Sequence, residues 1–210
     1  TDVTFGFHTA VDIATEVIDR IHTTAASHGR CMVIEIMGNK AGWLTLYSGI
    51  AGGADIILLP EIPYDINIVA EAVRRRAENG KAFSIVAVAE GAMSVEEAAM
   101  KKKDRALFRQ EAGFNGIANR IAKQLEEMVG VEARAVVPGH VQRGGSPTAS
   151  DRILAARMGE AAVDALREGK GNLCVGIHHN RIITVEIDKA VEMKSRVDKH
   201  LITLADILAR

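Results

Sequence analysis

Apolar positions set out the elements before any composition is considered. Ala10, Ile13, Ala14, Val17, Ile18 and Ile21 recur at three- and four-residue steps, so an amphipathic helix is expected over roughly residues 9–26. A continuous apolar run at 31–37, CMVIEIM, then reads as a short buried strand. Residues 41–50 read as a helix broken by Gly52-Gly53, and DIILLP is a strand closed by Pro60. Asp65 is placed to cap a helix that runs to Asn79-Gly80. FSIVAVAE is another apolar strand, and Ser94 with Glu97 fits a capping box that opens a short helix. The KKKDR run beyond it reads as a solvated helix end or loop. Residues 114–129 are helical in pattern, EARAVVPG is a fourth strand, and 149–167 is a strong helix. NLCVGIHHNRIITVEI has the form of a hairpin around His179-Asn180, and one or two short helices end the chain.

Strands alternating with helices, the strands apolar on both faces, indicate an α/β fold. The expected architecture is a doubly wound, mostly parallel sheet with helices on both faces. In such sheets ligands bind outside the carboxyl ends of the strands. Those ends are followed by Met37-Gly38-Asn39-Lys40, by Pro60-Glu61, by Glu90-Gly91, and by Gly139-His140 with Gln142 and Arg143. The last group opens the loop PGHVQRGGSPTASDR at 138–152, which is more cationic and glycine-rich than a strand-to-helix connection needs. Glycine lets backbone N–H groups approach an oxyanion, and the Arg fork matches phosphate. The bland alternative is a turn whose Gly pair supplies positive φ and whose Arg is merely solvated. Glu90 could accept sugar hydroxyls or act as a surface carboxylate. Arg134 could be an edge residue facing water, and Arg74, Arg75 and Arg76 read as a solvated helix face. Arg30 precedes the first strand, so it lies at the end of the sheet opposite the site and fits a neighbour's site better than its own.

Composition narrows the classes. The chain has 210 residues, 48% hydrophobic and 25% charged, as in an ordinary globular domain with a real core. A net charge of −1 supplies no general field for nucleic acid or an anionic membrane, and 4% aromatic residues argue against base stacking. No apolar run reaches membrane-spanning length, and no signal peptide pattern opens the chain. Cys31 and Cys174 sit in apolar runs and read as buried free thiols of a reducing cytosol. His22, His28, His178 and His179 have no Cys or carboxylate at metal spacing. There is no nucleophile elbow, Walker loop or dinucleotide fingerprint.

The loop GHVQRGGSPTASDR closely resembles the signature of the 6-phosphofructokinases. TFGFHTAVDIATEVIDRIHTTAASHGR, VIEIMGNKAGWLTL, GGADIILLPE and VAVAEG resemble that family's other blocks in order and spacing. The likeness is to the bacterial type, which includes ATP-dependent and pyrophosphate-dependent enzymes. It implies that the intact enzyme phosphorylates fructose 6-phosphate to fructose 1,6-bisphosphate in glycolysis, in the cytoplasm, as a homodimer or homotetramer. It implies that His140 and Arg143 hold the 6-phosphate. Arg30 and Arg134 would reach a neighbouring subunit's sugar phosphate, and Glu90, Met37 and Gly38 would fix the sugar hydroxyls.

This chain departs from the family pattern at three places. The T-I-D-N-D loop with the catalytic aspartate, and the Gly-rich loops for Mg²⁺ and the phosphoryl donor, do not occur here. The expectation is therefore a C-terminal part whose Mg²⁺ ligands and base lie upstream of Thr1, inactive by itself. Its expected organisation is a sugar-phosphate domain over 1–143, a segment at 144–187 that packs on the donor domain, and a return at 188–210. Second, Asn39 stands where the family usually has an Arg that stabilises the transferring phosphoryl group; Asn donates a hydrogen bond without charge. A non-catalytic sugar-phosphate-binding or regulatory subunit is the alternative that this change suggests. Third, only Lys81 is basic in NGKAF, where allosteric relatives carry a cluster, so nucleotide-effector regulation is not expected.

Overall fold

A computed structural model describes residues 1–111, 116–193 and 197–208. The elements run α1 (Phe7–His28), β1 (Cys31–Ile36), α2 (Trp43–Ala51), β2 (Ile56–Leu58), α3 (Ile66–Glu78) and β3 (Ser84–Ala89). They continue with α4 (Val95–Ala99), α5 (Lys102–Glu111), α6 (Ile117–Val129) and β4 (Ala133–Val136). A 3₁₀ turn at Gly139–Arg143 is followed by α7 (Ala149–Arg167), β5 (Leu173–His178), β6 (Arg181–Glu186), α8 (Ile187–Glu192) and α9 (Lys199–Leu208). The helix expected from residue 114 is described from Ile117; Phe114 lies outside the described residues. The KKKDR run opens α5, and its Arg105 is half-buried against the Met93 sulfur. No described helix is long and apolar enough to cross a membrane.

The chain divides into two compact units, one of Thr1–Val11 with Arg143–Arg196 and one of Asp12–Gln142 with Val197–Arg210. The second holds a four-stranded, all-parallel sheet in the order β2-β3-β1-β4. Alternation along the strands feeds two cores. Cys31, Val33, Val86 and Val88 point to a cluster with Val69 and Val73 of α3 and Ile121 and Leu125 of α6. Met32, Ile34, Ile36, Ile85 and Ala87 point the other way, to Ala14, Ile18 and Ala25 of α1, with Leu44 of α2 against them. Helices thus cover both faces, as the uninterrupted apolar runs require. Asp65 caps α3 by accepting from the Asn67 N–H at 2.8 Å. Arg76 does not belong to a solvated face: it pairs with Asp55 at 2.6 Å, both side chains largely covered, while Asp55 also accepts from the Ile85 N–H. Three successive arginines occupy different helix azimuths, so they do not share one environment.

In the other unit β5 and β6 form an antiparallel hairpin in register from Leu173↔Glu186 to His178↔Arg181. Leu154 and Met158 of α7 pack with Ile177. Buried Asp151 accepts from the Thr9 backbone N–H at 2.8 Å and from the Thr9 hydroxyl. Cys174 is exposed here, contrary to the expectation of burial. A two-stranded ribbon covers one face only, so an apolar run in it does not bury every side chain.

Replacing fully buried Ile34 of the central strand by Ala is expected to cost about 2–5 kcal/mol, whereas Leu166→Ala, at a position 73% exposed, stays within about 0.5 kcal/mol. Urea unfolding of the two variants checks the pair.

Candidate active site

The chain leaves β1 for β2 through α2, and leaves β3 for β4 through α6, on opposite faces of the sheet. Because β1 and β3 are neighbours whose connections leave on opposite faces, their carboxyl ends are where doubly wound sheets bind ligands. Met37, Gly38 and Asn39 follow β1, Glu90 and Gly91 follow β3, and Gly139, His140 and Gln142 follow β4. Backbone bonds knit the first two loops together, Glu90 N–H to Ile36 O at 2.9 Å and Gly91 N–H to Gly38 O at 3.1 Å. The approach is so close that a Cβ on Gly91 would lie 1.9 Å from the Asn39 carbonyl oxygen. Gly38 has a φ of +153°, and a Cβ there would meet the Ala41 carbonyl at 2.8 Å. Glycine is required at both places by geometry. The third loop is joined through Gln142, 1% exposed, whose Oε1 accepts from the Met37 N–H at 3.1 Å and whose Nε2 donates to the Gly139 carbonyl at 3.2 Å.

At this rim the side chains of Asn39, Glu90 and His140 have no hydrogen-bond or ion-pair partner among the described residues, and neither has Arg143, the last residue of the 3₁₀ turn. Asn39, His140 and Arg143 are exposed, and Glu90, Met37 and Gly38 are half-buried. Glu61 is differently placed: its carboxylate accepts from the Gly42 N–H at 2.9 Å and so sits at the start of α2.

Arg30 and Arg134 lie at the other end of the sheet. Arg30 Nε binds Glu132 Oε2 at 2.7 Å and Arg134 Nη2 binds Glu132 Oε1 at 2.5 Å, so one carboxylate lies between two guanidinium groups. The Arg30 hydrogen bond, with Arg134 beside it, holds the Glu132 carboxyl below its usual range. A six-residue strand spans about 20 Å, so neither arginine reaches its own strand-end crevice.

One cluster has no counterpart in the motif reading. The expected capping box is present, with Glu97 N–H to Ser94 Oγ at 3.2 Å and Ser94 N–H to Glu97 Oε2 at 2.9 Å. The same Glu97 is completely buried and is gripped by Arg109 Nε and Arg120 Nη2, each at 2.6 Å. Arg120 also donates to the Tyr64 hydroxyl at 3.0 Å, and Arg109 to the Ala92 carbonyl at 3.0 Å, in the loop just after Glu90. Burial alone would raise the Glu97 pKa; the hydrogen bonds from Arg120 and Arg109 outweigh it and hold it at about 2. Capping boxes are legible at three-residue spacing, but partners 12 and 23 residues downstream are not. Glu35 was equally hidden in an apolar run: its carboxylate accepts from the Ala118 N–H at 3.1 Å, at the start of α6.

A cleft of about 500 Å³ lies along the edge strand, lined by Ile57, Leu59, Tyr64, Ile68 and Ile202. None of the sequence-predicted site residues borders it. Its walls are mainly apolar, and of its charged lining Asp55 and Arg76 pair with each other and Asp65 caps α3, so the strand-end rim with its unpartnered polar groups is the better candidate.

A doubly wound sheet with a polar strand-end crevice and a His- and Arg-bearing turn narrows the class, and comparison with known proteins completes it. The profile of the family described as Phosphofructokinase matches residues 1–166. The ATP-dependent 6-phosphofructokinase of Spirochaeta thermophila is 50% identical over 192 residues, 91% of this chain and 52% of the relative. That of Chloroflexus aggregans is 46% identical over 200 residues, 95% of this chain and 54% of the relative. The structure of phosphofructokinase from Saccharomyces cerevisiae superposes with a TM-score of 0.76 at 32% identity, covering 99% of this chain and 25% of that one. A pyrophosphate-dependent phosphofructokinase structure from Marinobacter aquaeolei, 22% identical, has a TM-score of 0.73 over 91% of this chain and 48% of its own, and shares the fold. The chain belongs to the phosphofructokinase family. It spans about half the length of the curated relatives it matches.

The Glu97 carboxylate gives a pH test. Its pKa falls from 4.5 to about 2 on folding, so its contribution is fully present above pH 4.5 and is lost as pH drops toward 2. The amount is on the order of 3 kcal/mol. Urea midpoints measured at pH 7 and pH 3 should fall for the unaltered protein. Glu97→Gln, already destabilised at pH 7 because Arg120 loses its counter-charge, should lack that component of the fall.

Proposed function

We propose that the protein containing this chain transfers a phosphoryl group to the 1-hydroxyl of fructose 6-phosphate, giving fructose 1,6-bisphosphate, and that this chain supplies the sugar-phosphate-binding residues. The observation that carries the reading is the turn after β4. It presents an imidazole and a guanidinium, His140 and Arg143, with no partner among the described residues, in a chain of the phosphofructokinase family. Such a pair matches a phosphate dianion, the Arg by its planar fork. Glu90, half-buried and equally uncommitted, accepts from sugar hydroxyls, and the Met37-Gly38 peptide lies beside it. Asn39 stands next to the reacting end and supplies a hydrogen bond without charge, so stabilisation of the transferring phosphoryl group falls to other cations.

Arg30 and Arg134, at the far end of the sheet, serve the site of a neighbouring subunit. The protein is accordingly a homodimer or homotetramer in the cytoplasm. ATP as donor is supported by the names of relatives at 41–50% identity. Among the described residues no group of three or more His, Cys, Asp or Glu side chains fits a metal ion, so the family's Mg²⁺ is assigned no ligand among them. No T-I-D-N-D stretch occurs in the 210 residues, so the chain alone is expected to bind substrate and give no product.

Calorimetric titration with fructose 6-phosphate is the direct test. Loss of His140 or Arg143 to Ala should weaken binding at least about tenfold, the worth of a charge-assisted hydrogen bond. Unchanged affinity in both variants would remove the reading. Subunit sharing has its own measurement. Mixed oligomers of Arg30→Ala with His140→Ala protein should regain a fraction of intact sites that neither variant has alone, and no recovery would place Arg30 elsewhere.

A further inference from the structure

We propose that Gln142 is a positioning residue that sets the span between the two ends of the sugar phosphate, and so helps select its chain length. The inference rests on fructose 6-phosphate being the substrate. Gln142 is the last residue of the first chain segment of the parallel-sheet unit and is fully buried, although it neighbours exposed Val141 and Arg143. Its amide faces two site loops at once. Oε1 accepts from Met37 N–H, the first residue after β1, and Nε2 donates to Gly139 O, the residue before His140. The amide serves two backbones at once, its carbonyl oxygen accepting from one and its N–H donating to the other from atoms about 2 Å apart. A purely apolar side chain of similar volume would fill the space but leave a buried N–H and a buried C=O unpaired.

The two loops carry opposite ends of the ligand. His140 meets the phosphate, and the Met37-Gly38 peptide meets the ring. The first loop is also tied to β3 by Gly91 N–H to Gly38 O, so it cannot follow the 3₁₀ turn if the turn shifts. Only the Gln142 side chain links the turn to the β1 loop by hydrogen bonds among the described residues. The pairing of β1 with β4 brings the two loops side by side, and beyond the strand ends the distance from phosphate grip to ring grip is held by this one side chain, against which a six-carbon ketose phosphate is measured.

The experiment uses the full-length protein, with Gln142→Glu and Gln142→Met assayed on fructose 6-phosphate and on a ketoheptose 7-phosphate one carbon longer. Glu keeps the acceptor for Met37 but turns a carboxylate oxygen toward the Gly139 carbonyl; Met removes both bonds. Grip on the phosphate and ring is the same in ground and transition states, so the change should fall on KM. KM for fructose 6-phosphate is expected to rise about tenfold, with kcat within about threefold. The preference for six over seven carbons should narrow in the same variants. A KM within about twofold of the unaltered protein, or an equal change for both sugars, overturns the proposal. Loss of the folded state in both variants, seen by circular dichroism, assigns Gln142 a structural role and also overturns it. Failure of the unaltered protein to saturate with fructose 6-phosphate overturns the substrate reading, and this proposal with it.

Discussion

Backbone meets backbone at the end of β3, and everything at the candidate site depends on that contact. Gly91 approaches Asn39 with no space for a single methyl group. The loops after β1 and β3 are thereby joined by main chain instead of side chains. What remains at the rim is a set of polar groups held by short, hydrogen-bonded loops. Main-chain positions in a close-packed sheet vary little, so groups attached directly to them start from a narrow range of positions. Glu90 is one residue from Gly91, and Met37 and Gly38 are the residues directly after β1.

The arrangement separates two kinds of charge. Carboxylates that serve the fold have partners: Glu97 two arginines, Glu61 the start of α2, Glu35 the start of α6, and Asp151, through Oδ2, Thr9. Side chains at the rim have no such partner among the described residues. A buried ion pair brings little net stability over a well-packed apolar substitute, since desolvation offsets the attraction. For Glu97 the more informative consequence is geometric, because Arg109 carries the constraint on to the carbonyl of Ala92 beside the Glu90 loop.

Elements were legible wherever one period dominated. The helical recurrence from Ala10 to Ile21, the apolar runs of β1 and β3, the Ser94 box and the hairpin around His179-Asn180 all stand where the pattern puts them. What could not be read was long-range. Nothing local shows that Glu97 and Arg120 meet, that Arg76 turns toward Asp55, or that Gln142 folds inward between exposed neighbours. Such contacts arise from the order of strands, and the order β2-β3-β1-β4 is not written in any window of residues. Cys174 misleads for a related reason, since an apolar strand is buried on both faces only if layers lie on both faces.

The two thiols end in opposite circumstances. Cys31 is sealed in the sheet, and burial pushes its pKa up to about 12, which leaves almost no thiolate at neutral pH. Cys174 stands in solvent on the hairpin. Nature has thus provided a natural cysteine at which maleimide chemistry can attach a fluorophore or spin probe to one unit of the chain, with no cysteine engineered in and none taken out.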